Sequence, residues 1–247
     1  MHIALIGYGK MGKEIERLAL ERAWNIDLRI DIDTPPVTSA QRNSIDAVIH
    51  FAQAGSIVDD LTPWIEARKP IVVGTTGWHE QMPKVEALVK KNDIGLIYAS
   101  NFSLGVNIFF HLIRAAAQMM NRFPDYDAFI QEIHHKNKLD SPSGTALTMG
   151  QIVLKNLNRK KELLNETSHD KIRPEQLHVS SIRSGSVVGT HVLSFDSEAD
   201  TIELKHTAKN RSGLALGALL AAEWIIGKKG LFTMNDLFQD LLKQGDR

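Results

Sequence analysis

Residues 132–146, Glu-Ile-His-His-Lys-Asn-Lys-Leu-Asp-Ser-Pro-Ser-Gly-Thr-Ala, set two adjacent histidines, His134 and His135, and a lysine, Lys138, just before a Ser-Pro-Ser-Gly-Thr turn. Imidazole is the side chain most easily tuned to exchange a proton near neutral pH. A nearby lysine can donate a proton or neutralise an anion. The turn leads into an amphipathic run over 147–157, and a turn that opens a helix points free backbone N–H groups outward, which suits a carboxylate or phosphate. One short stretch thus holds a proton carrier, a cation and an anion cradle. Taken alone, the same residues also read as ordinary histidines before a helix cap. No metal site is expected. Adjacent residues on an extended chain face opposite sides, so His134 and His135 would not chelate together. The chain also has no cysteine to complete a ligand set.

A second stretch can bind rather than react. The apolar run 2–6 is followed at once by Gly7-Tyr8-Gly9-Lys10-Met11-Gly12 and then by helical spacing over 13–23. In this strand–turn–helix order the first glycine permits the turn and the second lets the backbone approach a pyrophosphate. The third lets helix and strand pack closely, with the helix N-terminus facing the phosphates. A second strand, 26–32, closes the unit. Asp31, 19 positions after Gly12, stands where an acid would hold the adenosine ribose hydroxyls of NAD, with Asp33 as the alternative. Ile32, Thr34 and two prolines follow, with no Arg or Lys after the acid to hold a 2′-phosphate, which favours NADH over NADPH. Arg29 lies two positions before the acid.

The elements that must position these residues follow from periodicity. Strands over 46–51, 70–74 and 94–99 alternate with helices over 56–68 and 80–91. This implies a parallel sheet covered on both faces, with ligands beyond the carboxyl ends of the strands. The residues there, Phe51-Ala52, Gly74-Thr75-Thr76-Gly77 and Ala99-Ser100-Asn101-Phe102, are in part small or hydroxylated and could admit a nicotinamide ribose. Residues 104–123 read as a long buried helix linking two halves. Residues 127–135 are extended and deliver the histidines, and 159–176 read as a charged loop or frayed helix. Three β-rich segments, 178–183, 186–195 and 201–207, lack intervening helices and predict hairpin pairings in a mixed sheet. Helices over 211–227 and 235–242 return to the first domain. The expected class is α/β: a Rossmann dinucleotide-binding domain, 1–103 plus 213–247, with an inserted α+β substrate and oligomerisation domain, 104–212.

Composition bounds the function. Lys+Arg and Asp+Glu both total 29, which speaks against a nucleic-acid surface or a membrane-attracted face. No apolar run approaches the roughly 18 residues of a membrane span. With no cysteine there is no disulfide framework. The first residues run straight into the glycine turn without a basic start or cleavage site. The expectation is a cytoplasmic protein with a small-molecule substrate.

Together these motifs resemble the 4-hydroxy-tetrahydrodipicolinate reductase (dihydrodipicolinate reductase) family of lysine and diaminopimelate biosynthesis. Residues 132–146 match its pattern E-x-H-H-x-x-K-x-D-x-P-S-G-T-A. Gly7–Gly12, the segment 73–78 (VGTTGW), 101–107 (NFSLGVN) and 183–191 (RSGSVVGTH) fall in the family's order. The resemblance implies His134 as catalytic acid/base, Lys138 as proton donor, and His135, Gly144 and Thr145 as holders of a dicarboxylate. It implies that Gly7–Gly12, Asp31, Gly74, Thr75, Thr76, Ala99, Ser100, Asn101 and Phe102 hold NADH or NADPH. It further implies a homotetramer built through the β-rich domain. Aligning a hydride donor with its acceptor then leads to the expectation that one domain closes on the other. Three departures stand out: His50-Phe51-Ala52 where the family often has Asp-Phe-Thr, Leu214 where many members have Phe, and a short 33–46 region. Two other readings share the glycine turn: another Rossmann amino-acid oxidoreductase, such as an aspartate dehydrogenase, and a dinucleotide sensor without chemistry.

Overall fold

The computed structural model describes residues 1–244. The chain divides into two compact units, residues 1–104 with 211 onward, and residues 105–210. The first unit opens with β1 (His2–Ile6), α1 (Lys10–Glu21), β2 (Asn25–Ile30), α2 (Ser39–Asn43), β3 (Ala47–His50), α3 (Ile57–Glu66), β4 (Ile71–Val73), α4 (Met82–Asn92) and β5 (Gly95–Tyr98). The second unit takes α5 (Leu104–Met119), which starts at the boundary, then β6 (Asp127–His134), α6 (Gly144–Asn156), β7 (Glu162–Leu164), β8 (Gln176–Arg183), β9 (Gly189–Asp196) and β10 (Thr201–Ala208). The chain then returns to the first unit as α7 (Ser212–Trp224), β11 (Gly230–Thr233) and α8 (Met234–Gln244).

The first sheet is parallel throughout, in the order β11-β5-β4-β3-β1-β2. Its central strands are apolar apart from His2 at the start of β1 and the buried His50 at the end of β3, because both faces are covered. Ile3, Leu5, Ile49, Val72 and Ile97 face α1, α7 and α8. Ala4, Ile6, Val48, Val73 and Leu96 face α3 and α4. The return helix α7 comes so close that a Cβ on Gly217 would stand 1.7 Å from the Phe102 carbonyl oxygen. Here the sheet gains two features that the sequence pattern did not predict. The sixth strand, β11, is four half-buried residues without clear alternation, and α2 is a five-residue helix closed by a Thr38–Gln41 capping box.

The second sheet runs β10-β9-β6-β8-β7. It is mixed, as expected, but only β9 and β10 form a hairpin. β6 lies between β8 and β9, parallel to the first and antiparallel to the second. One face packs on α5 and α6 through Ala128, Ile130, Val179, Leu193 and Phe195. The apolar run 104–123 is not buried all round. It ends in a 3₁₀ turn after Met119, and Ile108, Leu112 and Met119 are 49%, 52% and 62% exposed. The charged stretch 159–176 is not wholly loop either. It carries β7, and the fully buried Lys160 bonds the Gln176 carbonyl at 2.6 Å and Asp127 at 2.5 Å.

Candidate active site

The glycine turn of the first unit is made by backbone contact. Gly7 has φ +89°, and a Cβ there would lie 2.3 Å from the Phe51 carbonyl oxygen. Gly12 lies inside α1, which starts three residues earlier than its spacing suggested, and a Cβ there would lie 2.5 Å from the Gly7 carbonyl oxygen. Gly9 differs: a Cβ there would meet nothing within 4 Å. As the N-cap of α1, Gly9 has no side chain to cap the helix, and the first turn carries no acid. Open space beside uncapped N–H groups fits a pyrophosphate. Lys10 is exposed there, while Met11 packs on the core.

Asp31 follows the last residue of β2 and is exposed. Its Oδ2 accepts the Tyr8 N–H at 3.3 Å, so the carboxylate stands over the turn. Asp33 is exposed two residues on. Arg29 is already engaged: its guanidinium pairs with Glu16, donates to the Ile26 carbonyl at 3.0 Å and lies over the Tyr8 ring. Glu16 also accepts a very short bond from the Tyr8 hydroxyl.

At the other strand ends the expected residues divide. Thr76 and Ser100 are exposed, and Gly74, Ala99 and Asn101 are half-buried. Gly74 lies under the Phe51 ring, where a Cβ would be 2.1 Å from the ring edge. The Thr75 hydroxyl is turned inward onto Ala52 and His50. Phe102 is buried against Phe51, their ring centroids 6.2 Å apart. Thr75 and Phe102 therefore shape this edge more than they line it.

In the second unit the buried face of the sheet changes character within one residue pair. Ala128 and Ile130 on β6 are core, and the next two side chains on that face are Glu132 and His134, both buried. Glu132 lies opposite His191 on β9, and His134 opposite Arg183 on β8. Glu132 accepts from Arg183 at 2.7 Å, from the Ser143 N–H at 3.2 Å and, in a very short bond, from His134 Nδ1. Ser143 caps α6 through Ala146 and places its hydroxyl 3.2 Å from His191 Nε2. The His134 and His191 rings meet edge to face at 5.1 Å. Gly189 approaches so closely that a Cβ there would be 2.9 Å from His134 Nε2.

Electrostatics follow from this packing. Burial raises the Glu132 pKa, but Arg183 and His134 pull it down further, so it falls below the usual carboxylate range. Burial, with the charges of Lys138 and Arg183, outweighs Glu132 and holds His134 below its ordinary value. Burial first and His134 second push His191 down to about 4. At neutral pH the cluster is a carboxylate with two neutral imidazoles. Glu132 then fixes the tautomer of His134: Nδ1 carries the proton and Nε2 is the acceptor.

The loop beyond β6 carries the remaining expected residues. Lys138 pairs with Asp140 at 2.7 Å, and its N–H closes a turn on the His135 carbonyl at 3.1 Å. His135 is half-buried. Gly144 opens α6 exposed, and a Cβ there would meet nothing within 4 Å, while Thr145 is half-buried. Asp140 lies below its ordinary pKa, first through Lys138 and in smaller part through its bond to the Gly144 backbone. A carboxylate thus already rests between this lysine and this helix N-terminus.

Glu132, His134 and His191 also lie within reach of a common metal ion. The bonding argues against that use, because both Glu132 oxygens are taken and the Arg183 cation stands on one of them. Glu132, Arg183, His191 and Ser143 were not assigned roles from the sequence. Glu132 could have been found by alternation, two residues before His134, but His191 and Arg183 reach it only through strand register.

Residues 1–102 match the family model described as dihydrodipicolinate reductase, N-terminus, and residues 105–238 match its C-terminus. The chain belongs to the dihydrodipicolinate reductase family. It is 43% identical to a 4-hydroxy-tetrahydrodipicolinate reductase of Christiangramia forsetii over 98% of this chain and 100% of that one. It is 34% identical to one of Methanoregula boonei over 93% and 94%. A dipicolinate-bound dihydrodipicolinate reductase from a Paenisporosarcina species superimposes with a TM-score of 0.74 at 22% identity, covering 94% and 97%, and so shares the fold. As a member of this reductase family, the chain is an oxidoreductase of lysine biosynthesis that reduces 4-hydroxy-tetrahydrodipicolinate. The family match carries a dinucleotide-binding domain and supports a nicotinamide cofactor.

Proposed function

We propose that the reduction uses NADH in preference to NADPH, with Lys138 as proton donor and His134, held neutral by its surroundings, as proton acceptor. Overall the reaction takes up one hydride and one proton and releases the 4-hydroxyl as water. The nicotinamide nucleotide, when bound, supplies the hydride. The observation that carries the reading is the wiring of His134. Its Nδ1 is held by a carboxylate that Arg183 and the Ser143 N–H hold in turn. Such an arrangement orients an imidazole and leaves Nε2 to work.

Gly144, Thr145 and His135 would receive a substrate carboxylate at the start of α6, where charge-assisted hydrogen bonds are strong. Asp140 would yield its place there. Gly7, Tyr8, Gly9, Lys10, Met11 and Gly12 would carry the pyrophosphate, and Asp31 the adenosine ribose. Gly74, Thr75, Thr76 and the segment 99–102 would border the nicotinamide end, Thr75 and Phe102 through backbone and packing. The preference for NADH rests on Asp31 over the turn and on Arg29, whose charge Glu16 already meets. We also infer a homotetramer in the cytoplasm. Ile182, 49% exposed, lies beside Ile133 on the face of the β-rich sheet turned away from α5 and α6, and supports assembly through that unit.

The test is oxidation of NADH and of NADPH, with substrate generated in situ from pyruvate and aspartate semialdehyde by the preceding synthase. Wild type should oxidise NADH with the higher kcat/KM. Lys138→Ala should lose about 10²–10⁴-fold in kcat, the usual worth of a positioned acid. Normal turnover by Lys138→Ala would remove the lysine from the mechanism.

A further inference from the structure

We propose that His50 is a positioning residue for the nucleotide: backed by Asp60, it holds the Thr75 hydroxyl as an extra rung between the segments that follow β3 and β4. The proposal rests on the reading of residues 74–76 as part of the nucleotide site.

His50 ends β3 and is fully buried, and both ring nitrogens have partners. Nδ1 lies 2.7 Å from Thr75 Oγ1, and Nε2 lies 3.1 Å from Asp60 Oδ2. Asp60, in the first turn of α3, is itself held by the Ser56 hydroxyl at 2.7 Å. Thr75 Oγ1 accepts the Ala52 N–H at 3.1 Å and stands 3.2 Å from the Ala52 carbonyl oxygen.

A carboxylate only accepts, so the nitrogen facing Asp60, Nε2, carries the ring proton. In a neutral ring Nδ1 is then bare, and the Thr75 hydroxyl donates to it. Burial lowers the His50 pKa against the pull of Asp60, in keeping with a neutral ring. Asp60 therefore selects the tautomer, and the tautomer orients Thr75.

The place of this chain in the sheet explains what it does. His50 pairs with Val73, and the last backbone rung between the two strands is Gly74 N–H to the His50 carbonyl at 2.9 Å. Beyond it the two chains have no further ladder. The Thr75 hydroxyl, held by His50, supplies the next rung to Ala52. The Trp78 indole N–H fixes the Thr75 carbonyl at 3.0 Å from the other side. What is tied is the carboxyl edge of two adjacent strands, where a parallel sheet places its ligand.

Two substitutions separate positioning from mere packing. His50→Asn keeps an acceptor at the Nδ1 position for Thr75 and loses Asp60. His50→Gln keeps a donor at the Nε2 position for Asp60 and loses Thr75. The full chain would be titrated with NADH by nucleotide fluorescence, its melting temperature recorded, and KM and kcat measured. His50→Gln should weaken NADH binding by about five- to tenfold, the worth of one hydrogen bond, raising KM with kcat within about twofold. His50→Asn should stay within about twofold of wild type in affinity although it also melts lower. Thr75→Val should match His50→Gln, and the double variant should lose no more than either. Equal affinities in the Asn and Gln variants, or losses that follow melting temperature, would overturn the proposal and leave His50 a packing residue. Wild type that binds neither NADH nor NADPH would instead overturn the nucleotide reading on which it stands.

Discussion

The turn after β1 presents main chain: Gly7 and Gly12 bring backbone against backbone, and Gly9 leaves open space at the uncapped N-terminus of α1. The cluster at the end of β6 presents side chains, buried and bonded to one another across three strands. The difference suits two tasks. A pyrophosphate of fixed charge needs N–H groups and room, and shape alone provides both. A proton acceptor must also have the right protonation state and tautomer, which takes a carboxylate, a cation and exclusion of water. Substitutions in the first region should therefore change binding, and those in the second should change turnover and its pH dependence.

The largest effect belongs to His134→Gln. It should lower kcat by about 10²–10⁴-fold while NADH affinity stays within about twofold. A loss confined to NADH affinity would erase the contrast between the regions.

Next in size is the linkage of His191 to stability. Its pKa is about 4 in the folded protein against an ordinary 6.5. Above pH 6.5 neither folded nor unfolded chain binds this proton, and its contribution is zero. Between pH 6.5 and 4 the unfolded chain binds it and the folded chain does not, so stability falls as the solution is acidified. Below about pH 4 both bind it and the loss levels off. Urea unfolding at pH 7 and 4.5 should show wild type losing about 2–3 kcal/mol more than His191→Gln. Equal losses would mean that the imidazole is not held neutral by its burial.

The smallest effect is expected at the exposed end of the first region. Asp31→Ala should weaken NADH by about tenfold, or about 1.4 kcal/mol, and leave kcat at saturation within about twofold. Unchanged affinity would move the ribose contact to Asp33.

The same contrast explains what could be read from the sequence. The glycine turn, the acid after β2 and the histidine–lysine stretch are contiguous, and each states its chemistry within a few residues. The buried strands β1, β3, β4 and β5 are apolar runs because both their faces are covered. β11 and β7 escaped notice because they are short, and their burial pattern does not alternate. The Glu132–His191 and His134–Arg183 pairings could not be read locally. They depend on β6 entering the sheet between β8 and β9, where hairpins between neighbours in the chain were expected. Likewise the exposed positions of α5 include Ile108, Leu112 and Met119, so composition did not tell its solvent-facing stripe from its buried one.

The contact of Gly217 with the Phe102 carbonyl has a consequence for how the protein is made. Helix α7, which covers one face of the first sheet, is encoded after the whole of the second unit. A ribosome adds about 5–20 residues per second, so the first five strands wait on the order of ten seconds for it. During that interval Ile3, Leu5, Ile49, Val72 and Ile97 have only α1 to shelter them, and β5 lacks its neighbour β11. The histidine-bearing half, continuous in the chain, has all its strands and helices before the nucleotide-binding half receives its last ones.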